Sequence, residues 1–294
     1  MSFRIVTDTS ANLPTELLEQ YDIPVLPFNF YVDGKEANCL DTRVFDGKAF
    51  YDAIRDGAKV TTSQISPQIY EDMFRPMLEN REEVLFVGMS SGISGSFHCA
   101  EIAKDDLLED FPDAQLELVD TLGASLGEGI LVLQAAEYRA RGISLKETAK
   151  LLREQSRRIC QIFTVDDLMY LRKGGRLSNV KAVVGTMLRI KPILKGNEQG
   201  QIVAFAKCRG RKKAIEALAE RYAAWVRNPQ EQIVGIAHAD CPEDADYLIR
   251  LLKDANPPKE ILSVCYEPVT GSHVGPGTLA LFFEASDGVR AFEK

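Results

Sequence analysis

No uninterrupted apolar run in this sequence of 294 residues approaches the roughly 20 residues that a helix needs to cross a bilayer. The N-terminal segment MSFRIVTDTSANLP has no apolar stretch behind a basic one, so no secretory signal is expected. The six cysteines are scattered without a C-x-x-C pair, which argues against a zinc ribbon and against a disulfide framework. We therefore expect a soluble, cytoplasmic protein with reduced thiols.

Histidine is also scarce, and the 43 acidic residues outnumber the 35 Lys and Arg. The three histidines, His98, His238 and His273, are too few and too dispersed to predict a metal site. The adjacent acids Asp166 and Asp167 are explained more simply by a helix N-terminus than by a metal. A net charge of −8 disfavours a nucleic-acid-binding protein. Because no G-x-x-x-x-G-K-[ST] loop occurs, we expect no nucleotide-binding loop and no cofactor of that kind.

The charges that are present are unevenly distributed. The segment Lys150–Lys213 holds sixteen Lys and Arg against four acids, a local charge of +12, so the remainder of the chain carries −20. One interpretation is a solvated basic face. The other is a docking surface for something anionic, namely a phosphate, an acidic partner protein or, transiently, a membrane surface.

Apolar residues make up 45% of the sequence, and its length favours two domains. Apolar runs alternate with helical patterns, which predicts an α/β fold with a largely parallel N-terminal sheet. We predict one α/β domain at residues 1–160 and a second at residues 161–294. The predicted strands are Phe3–Thr7, Pro24–Tyr31, Val84–Met89, Gln115–Asp120, Phe163–Val165, Ile202–Ala206, Gln232–Ala237 and Leu262–Tyr266, and the helices of the second domain are Lys181–Leu188, Arg211–Val226 and Glu243–Asp254.

A first polar motif, Thr-Thr-Ser-Gln-Ile-Ser-Pro, occupies residues 61–67. Ser66 and Pro67 suit the N-cap and first position of the helix that follows. Capping does not explain the hydroxyls of Thr61, Thr62 and Ser63. Alone, this motif is a weak indication of a binding loop.

A second motif, Ser-Ser-Gly-Ile-Ser-Gly-Ser at residues 90–96, lies between a predicted strand and a helix. Backbone N–H groups converge at such a helix N-terminus, which favours anion binding by neutral donors. Ser94 also invites a hydrolase interpretation. The nucleophile elbow reads G-x-S-x-G, however, and here the second glycine, Gly95, comes one place early.

A third motif, Gly-Ser-His-Val-Gly-Pro-Gly at residues 271–277, is predicted to be a loop. Its partial match to a dinucleotide fingerprint fails because a strand, Leu279–Phe283, follows where a helix is required. Glycines permit close backbone approach to a ligand, and the imidazole of His273 can donate a hydrogen bond to an oxyanion. A loop residue with only a structural hydrogen bond is the alternative.

A fourth motif, Leu-Arg-Lys-Gly-Gly-Arg-Leu-Ser, occupies residues 171–178 within the basic segment. Its two glycines suit either a turn that displays Lys173 and Arg176 or the C-cap of a helix. The alternative is a surface loop that is basic by chance.

In this order, and with the opening Val-Thr-Asp-Thr-Ser and the later His-x-Gly-Pro-Gly, the motifs resemble the DegV family over Phe3 to Phe283. Characterised members are the fatty-acid-binding subunits of bacterial fatty acid kinase. The resemblance implies a two-domain α/β fold with a long-chain fatty acid buried inside and its head group between the domains.

The resemblance places the carboxylate ligands at Thr62, Ser94 and His273. It places the contact with the separate kinase subunit at Arg176, with Arg172 as the alternative. One departure is Ile65, where the family often has proline, which implies a small change in loop rigidity.

Two hydroxyls and an imidazole hold a carboxylate with neutral donors and leave one oxygen free to attack a phosphoryl group. We therefore expect a binding protein that performs no chemistry itself. Two alternatives remain open from the sequence: a serine hydrolase that uses Ser94 and His273, and a ligand-sensing member of the same family without a kinase partner. Acyl-chain length and saturation are left open.

Overall fold

The computed structural model describes residues 2–178 and 190–291. The predicted helix Lys181–Leu188 lies outside these residues. Within them, no helix is both long and apolar enough to span a membrane.

The chain up to residue 156 builds a parallel sheet, a small antiparallel sheet and the helices around them. The parallel sheet has the strand order β2-β1-β6-β7, and the antiparallel sheet has the order β4-β3-β5. The elements are β1 (Arg4–Asp8), α1 (Thr15–Gln20), β2 (Val25–Leu26), β3 (Asn29–Val32), β4 (Lys35–Asn38), α2 (Gly47–Arg55), β5 (Val60–Thr62), α3 (Pro67–Glu79), β6 (Val84–Gly88), α4 (Ser96–Asp110), β7 (Leu116–Asp120), α5 (Leu126–Ala140) and α6 (Leu145–Ser156).

The remaining described residues build a six-stranded mixed sheet. Its order is β10-β9-β8-β13-β11-β12, in which only the pair β11–β12 is parallel among the described strands. The elements are β8 (Ile159–Thr164), α7 (Met169–Lys173), β9 (Ile190–Gly196), β10 (Ile202–Arg209), α8 (Arg211–Trp225), β11 (Ile233–His238), α9 (Pro242–Ala255), β12 (Glu260–Cys265), α10 (Pro268–Val274) and β13 (Leu279–Glu284).

Helix α5 lies between the two large sheets and contacts both of them. Its first turns, Leu126–Val132, are buried on all sides because sheets cover the helix on opposite faces, and all of these residues except Glu128 are apolar or glycine. Helices α3 and α4 cover the other face of the parallel sheet, and α8 and α9 cover the other face of the mixed sheet. The layers thus place the two sheets on either side of α5.

The predicted α/β fold with a parallel N-terminal sheet is confirmed. The division at residue 160 stays a prediction; β8, the first strand of the mixed sheet, begins at Ile159. The predicted single strand Pro24–Tyr31 was wrong. Pro27 interrupts it, since proline lacks the N–H of a sheet ladder, and the two parts join different sheets as β2 and β3.

The predicted loop at residues 271–277 was also wrong, because His273 lies in the last turn of α10. The carboxylate of Glu267 caps this helix by accepting hydrogen bonds from the backbone N–H groups of Val269 and Thr270, each at 2.6 Å. Of the two interpretations of the Gly174-Gly175 pair, the helix C-cap is the one observed, with Gly174 ending α7.

Candidate ligand-binding site

A cavity of about 310 Å³ is lined by residues from both large sheets. The parallel strands β6 and β7 point their carboxyl ends at it, as is typical of ligand sites in α/β proteins. Its volume falls at the lower end of the range for ligand pockets, roughly 300–1,000 Å³. Much of the wall is apolar and includes Phe28, Met89, Leu122, Phe163, Ile202 and Phe282.

Thr62 and His273 meet at this cavity although 211 positions separate them in the chain. Thr62 ends β5 in the small antiparallel sheet, and α10 packs against that sheet. The Oγ1 atom of Thr62 lies 2.8 Å from Nε2 of His273. On the other side of the ring, Nδ1 faces Gly174, where an added Cβ would come within 2.7 Å of it. The imidazole is therefore held between a hydroxyl and the end of α7.

The imidazole of His273 is neutral at physiological pH. Burial and, to a smaller extent, the positive charge of Arg176 together lower its pKa to about 4. A neutral imidazole carries its proton on one nitrogen only. With the proton on Nε2, His273 donates to Thr62 and leaves the threonine hydroxyl proton free for another acceptor.

Ser94 lines the same cavity from the loop that joins β6 to α4. Its hydroxyl donates to Oγ of Ser96 at 3.1 Å, and Ser96 Oγ in turn accepts from the backbone N–H of Ile65. The two hydroxyl-rich motifs are thereby joined directly. The loop approaches its neighbour closely at Gly92, where a Cβ would lie 2.3 Å from the carbonyl oxygen of Gln199, so a larger residue does not fit there.

The two arginines proposed for the partner contact differ in position. Arg172 is exposed on α7, whereas Arg176 is half-buried and lines the cavity. The Nε of Arg176 donates to the carbonyl oxygen of Ile93 at 3.3 Å, and its Nη1 bonds the carbonyl of Gly174. Arg176 thus connects the end of α7 to the serine loop and brings positive charge to the cavity.

The basic segment Lys150–Lys213 does not form one uncompensated positive face in the described part of the chain. Several of its cations pair with acids that lie far away in sequence, as Arg153 does with Glu117 and Arg158 with Glu284. The ammonium of Lys195 is buried against backbone carbonyls. The local charge of +12 is therefore partly neutralised by the fold.

The acid pair Asp166–Asp167 is engaged in other interactions. Asp166 forms ion pairs with Lys191 at 2.6 Å and Arg211 at 3.6 Å. The carboxylate of Asp167 accepts from the backbone N–H of Met169 at the start of α7, as predicted for a helix N-terminus. Across residues 2–178 and 190–291, no group of three or more His, Cys, Asp or Glu could hold a metal ion.

One hydrolase-like motif was not identified from the sequence. Gly-Ala-Ser-Leu-Gly at residues 123–127 matches G-x-S-x-G, lies between β7 and α5, and holds Ser125 at φ 53°. The Oγ of Ser125 is buried, however, and no described histidine bonds it. Nor does a hydrogen bond join Ser94 to His273, whose Nε2 faces Thr62. A serine nucleophile needs a base within hydrogen-bond reach, so this geometry does not favour hydrolysis.

Gln161 is a cavity residue that the sequence analysis did not identify. Its Oε1 accepts from the backbone N–H of Ala124 at 3.2 Å, and its Nε2 donates to the carbonyl of Leu122 at 2.9 Å. It therefore fixes the loop after β7, which forms part of the cavity wall. A single amide inside the apolar strand Ile159–Thr164 was the available signal.

Replacing Gly174 with alanine is expected to displace the His273 ring, because the new Cβ would lie 2.7 Å from Nδ1. The backbone of Gly174 has an ordinary φ of −71°, so the effect is steric. The histidine signals in an NMR spectrum should shift while the melting temperature changes little. Gly175→Ala is the matched control: it meets no atom within 4 Å but strains a φ of +73°, and should lower stability without moving His273. Unchanged His273 signals in Gly174→Ala would contradict this packing.

The two sheets, the helix between them and the largely apolar cavity define the class: an α/β protein with an internal site lined by both halves. The chain belongs to the DegV family. The model of this family, described as "Uncharacterised protein, DegV family", matches residues 2–286. A DegV domain-containing protein of Clostridium perfringens is 38% identical over 96% of this chain and 97% of its own length.

Solved structures of the family resemble this one closely. A fatty-acid-binding DegV family protein from Thermus thermophilus is 29% identical, with a TM-score of 0.87 over 97% of this chain and 100% of the other. The fatty-acid-binding DegV family protein from Streptococcus agalactiae is 30% identical, with a TM-score of 0.83 over 98% of this chain and 100% of the other.

Proposed function

We propose that this chain binds a long-chain fatty acid in the cavity and presents its carboxylate to a separate, ATP-dependent kinase in the cytoplasm. The observation that carries the proposal is the meeting of Thr62, Ser94 and His273 at one largely apolar cavity. The binding of fatty acids by the Thermus thermophilus and Streptococcus agalactiae relatives supports the same ligand class. Entry and exit of so apolar a ligand would involve transient contact with a membrane surface.

The head group would be held by oriented hydroxyls. His273 donates through Nε2 to Thr62, whose hydroxyl then donates to the carboxylate, and Ser94 exchanges its bond to Ser96 for one to the second oxygen. Two N–H groups of Arg176 are already used by carbonyl oxygens, so the guanidinium provides favourable charge without a full bidentate grip. An oxygen with a free lone pair remains for attack on a phosphoryl group.

Affinity would come mainly from the acyl chain. Each buried CH₂ contributes about 0.8 kcal/mol before ordering costs, so an acid of about 16 carbons gains roughly 11 kcal/mol. A hydrogen bond to a charged acceptor contributes about 1.5–3 kcal/mol. The acyl chain therefore supplies most of the binding free energy, and the polar residues orient the carboxylate.

The kinase would dock where α7 is exposed. Arg172 lies on the surface of this helix, and Gly174 at its end packs against His273, so one short helix connects the proposed contact surface with the head-group site. A kinase bound there would sit close to the carboxylate.

Reversing the charge at Arg172 with glutamate should reduce ligand phosphorylation at least several-fold and leave acid binding unchanged, because Arg172 is not part of the cavity wall. The assay is acyl phosphate formation with ATP, magnesium and the purified catalytic subunit of fatty acid kinase. Phosphorylation of the bound acid by the kinase should also slow as the salt concentration rises, since exposed charges are screened beyond about 8 Å at physiological ionic strength. Glu154→Lys, an exposed change on α6, is the control. Equal phosphorylation by Arg172→Glu and the parent, or transfer with ATP in the absence of the kinase, would contradict the proposal.

A further inference from the structure

A buried chain of polar contacts lies next to the cavity and outside the head-group site. Oγ of Ser10 lies 2.5 Å from Oδ1 of Asp8 and 2.7 Å from Oε2 of Glu128. Both carboxyl groups are fully enclosed, with 1% and 0% of their residues' surface exposed. Thr7 completes the group: its hydroxyl donates to the carbonyl of Val87 at 2.8 Å and lies 3.2 Å from Oε1 of Glu128.

Counting hydrogens shows that the two short contacts of Ser10 need one proton more than its hydroxyl supplies. A serine hydroxyl has one hydrogen, so Ser10 donates to only one of the two carboxyl groups. The hydrogen of Thr7 is engaged by the carbonyl of Val87, which cannot itself donate. If both acids were ionised, one carboxylate would face the lone pairs of Ser10 at 2.7 Å or less in a site closed to bulk solvent.

The remaining contacts indicate which acid holds the proton. Asp8 accepts from two backbone N–H groups, those of Ser10 at 2.9 Å and Met89 at 3.2 Å, and such donors stabilise the ionised form. Among the described residues, the hydrogen-bond partners of the Glu128 carboxyl group are the hydroxyls of Thr7 and Ser10 only. We propose that Glu128 is a neutral carboxylic acid in the folded protein, that it donates to Ser10 and Ser10 donates to Asp8, and that this shared proton fastens α5 to β1 beside the cavity.

The electrostatic surroundings agree with this assignment. Burial raises the pKa of Glu128 well above its usual value, and the charge of Asp8 raises it further. Burial raises the pKa of Asp8 to about 6 in spite of its hydrogen bonds. Among the described residues, the other titratable groups that face the pair are Tyr70 from α3 and Glu267 before α10, neither of which supplies positive charge.

The hydrogen bonds between Glu128, Ser10 and Asp8 hold two segments of the cavity wall in place. The backbone N–H of Met89 donates a hydrogen bond to Asp8, and Met89 lines the cavity. Ala124, which precedes Ser125, lines it as well. The backbone N–H of Ser125 donates to the carbonyl of Ser10 at 2.7 Å. Loss of the proton would place two negative charges across Ser10 and push α5 away from β1, which would loosen this wall.

The test is the pH dependence of melting for Glu128→Gln against the parent. A group with a raised pKa binds its proton in the folded state while the unfolded state has released it, so the parent loses stability as pH rises above about 4.5 towards the folded pKa. Glutamine donates to Ser10 without titrating. The melting temperature of Glu128→Gln relative to the parent should therefore increase with pH, by roughly 2–4 °C per pH unit in that window. Glu137→Gln, an exposed change on the same helix, should show no such trend.

Two further measurements establish the direction of the hydrogen bonds between Glu128, Ser10 and Asp8. Asp8→Asn should lower the melting temperature far more than Glu128→Gln, because its amide would turn N–H groups towards the N–H of Ser10 or Met89. An infrared spectrum of the parent at neutral pH should contain a protonated-carboxyl C=O band that Glu128→Gln removes. A pH-independent difference, a Glu128→Gln variant that does not fold, or a parent without that band would overturn the proposal.

Discussion

Replacing Ala124 with phenylalanine is expected to abolish the binding of a long-chain fatty acid. Ala124 is 8% exposed and lines the cavity of about 310 Å³, and its backbone N–H is held by Gln161 at 3.2 Å. Because the wall cannot move outward without breaking that contact, the ring would occupy the space of the acyl chain. Losing half of the roughly 11 kcal/mol available to an acid of about 16 carbons lowers affinity by more than a thousandfold. Isothermal titration of delipidated protein measures the effect.

Overpacking can also unfold a protein, so two controls accompany this variant. Ala124→Leu should give an intermediate affinity, which a general loss of structure would not. Ala223→Phe adds the same ring at an exposed position of α8 and should bind normally. If Ala124→Phe melts like the parent and still binds the acid, the ligand does not occupy this cavity.

Removing the hydroxyl of Thr62 with valine is expected to reduce phosphate transfer to the bound acid roughly 10- to 100-fold. The variant keeps the shape of the side chain but loses the group between His273 and the carboxylate, and a hydrogen bond to a charged acceptor is worth about 1.5–3 kcal/mol. Acid binding should remain measurable because the acyl chain supplies most of the free energy. Single-turnover phosphorylation at saturating acid separates the two quantities.

Thr62→Ser keeps a hydroxyl and should recover most of the transfer rate, which distinguishes hydrogen bonding from packing. Ser94→Ala and His273→Ala should lower transfer in the same direction, the latter by leaving the Thr62 hydroxyl unoriented. If all three truncations bind and support phosphorylation like the parent, the head-group assignment is wrong.

Periodicity predicted the architecture well where a strand or helix is buried on a consistent face. The strands Val84–Gly88 and Leu116–Asp120 came from continuous or alternating apolar runs, and α8 and α9 came from helical spacing. The small antiparallel sheet was missed in part because β4, Lys35–Asn38, is exposed throughout and carries no apolar pattern. Its pairing depends on the turn at Asp33-Gly34 and not on burial.

Helix α10 shows why the site itself was harder to predict. The segment Pro268–Val274 holds glycine and β-branched residues of low helix propensity, and the cap from Glu267 and packing against α2 and β3 decide its conformation. Resemblance, not periodicity, indicated that His273 and Thr62 act together. Likewise, Asp8 and Glu128 have no sequence feature that marks them as a buried pair, because their contact exists only once α5 packs on β1.

Native mass spectrometry measures whether this chain binds a long-chain fatty acid, as we propose. Protein purified without added lipid, and the same protein delipidated and then mixed with an acid of about 16 carbons, would be compared. We expect one acid bound per protein chain, either in the first sample or after addition in the second, and no bound acid in Ala124→Phe. If delipidated, folded protein takes up no acid of this class, the chain is not a fatty-acid-binding protein.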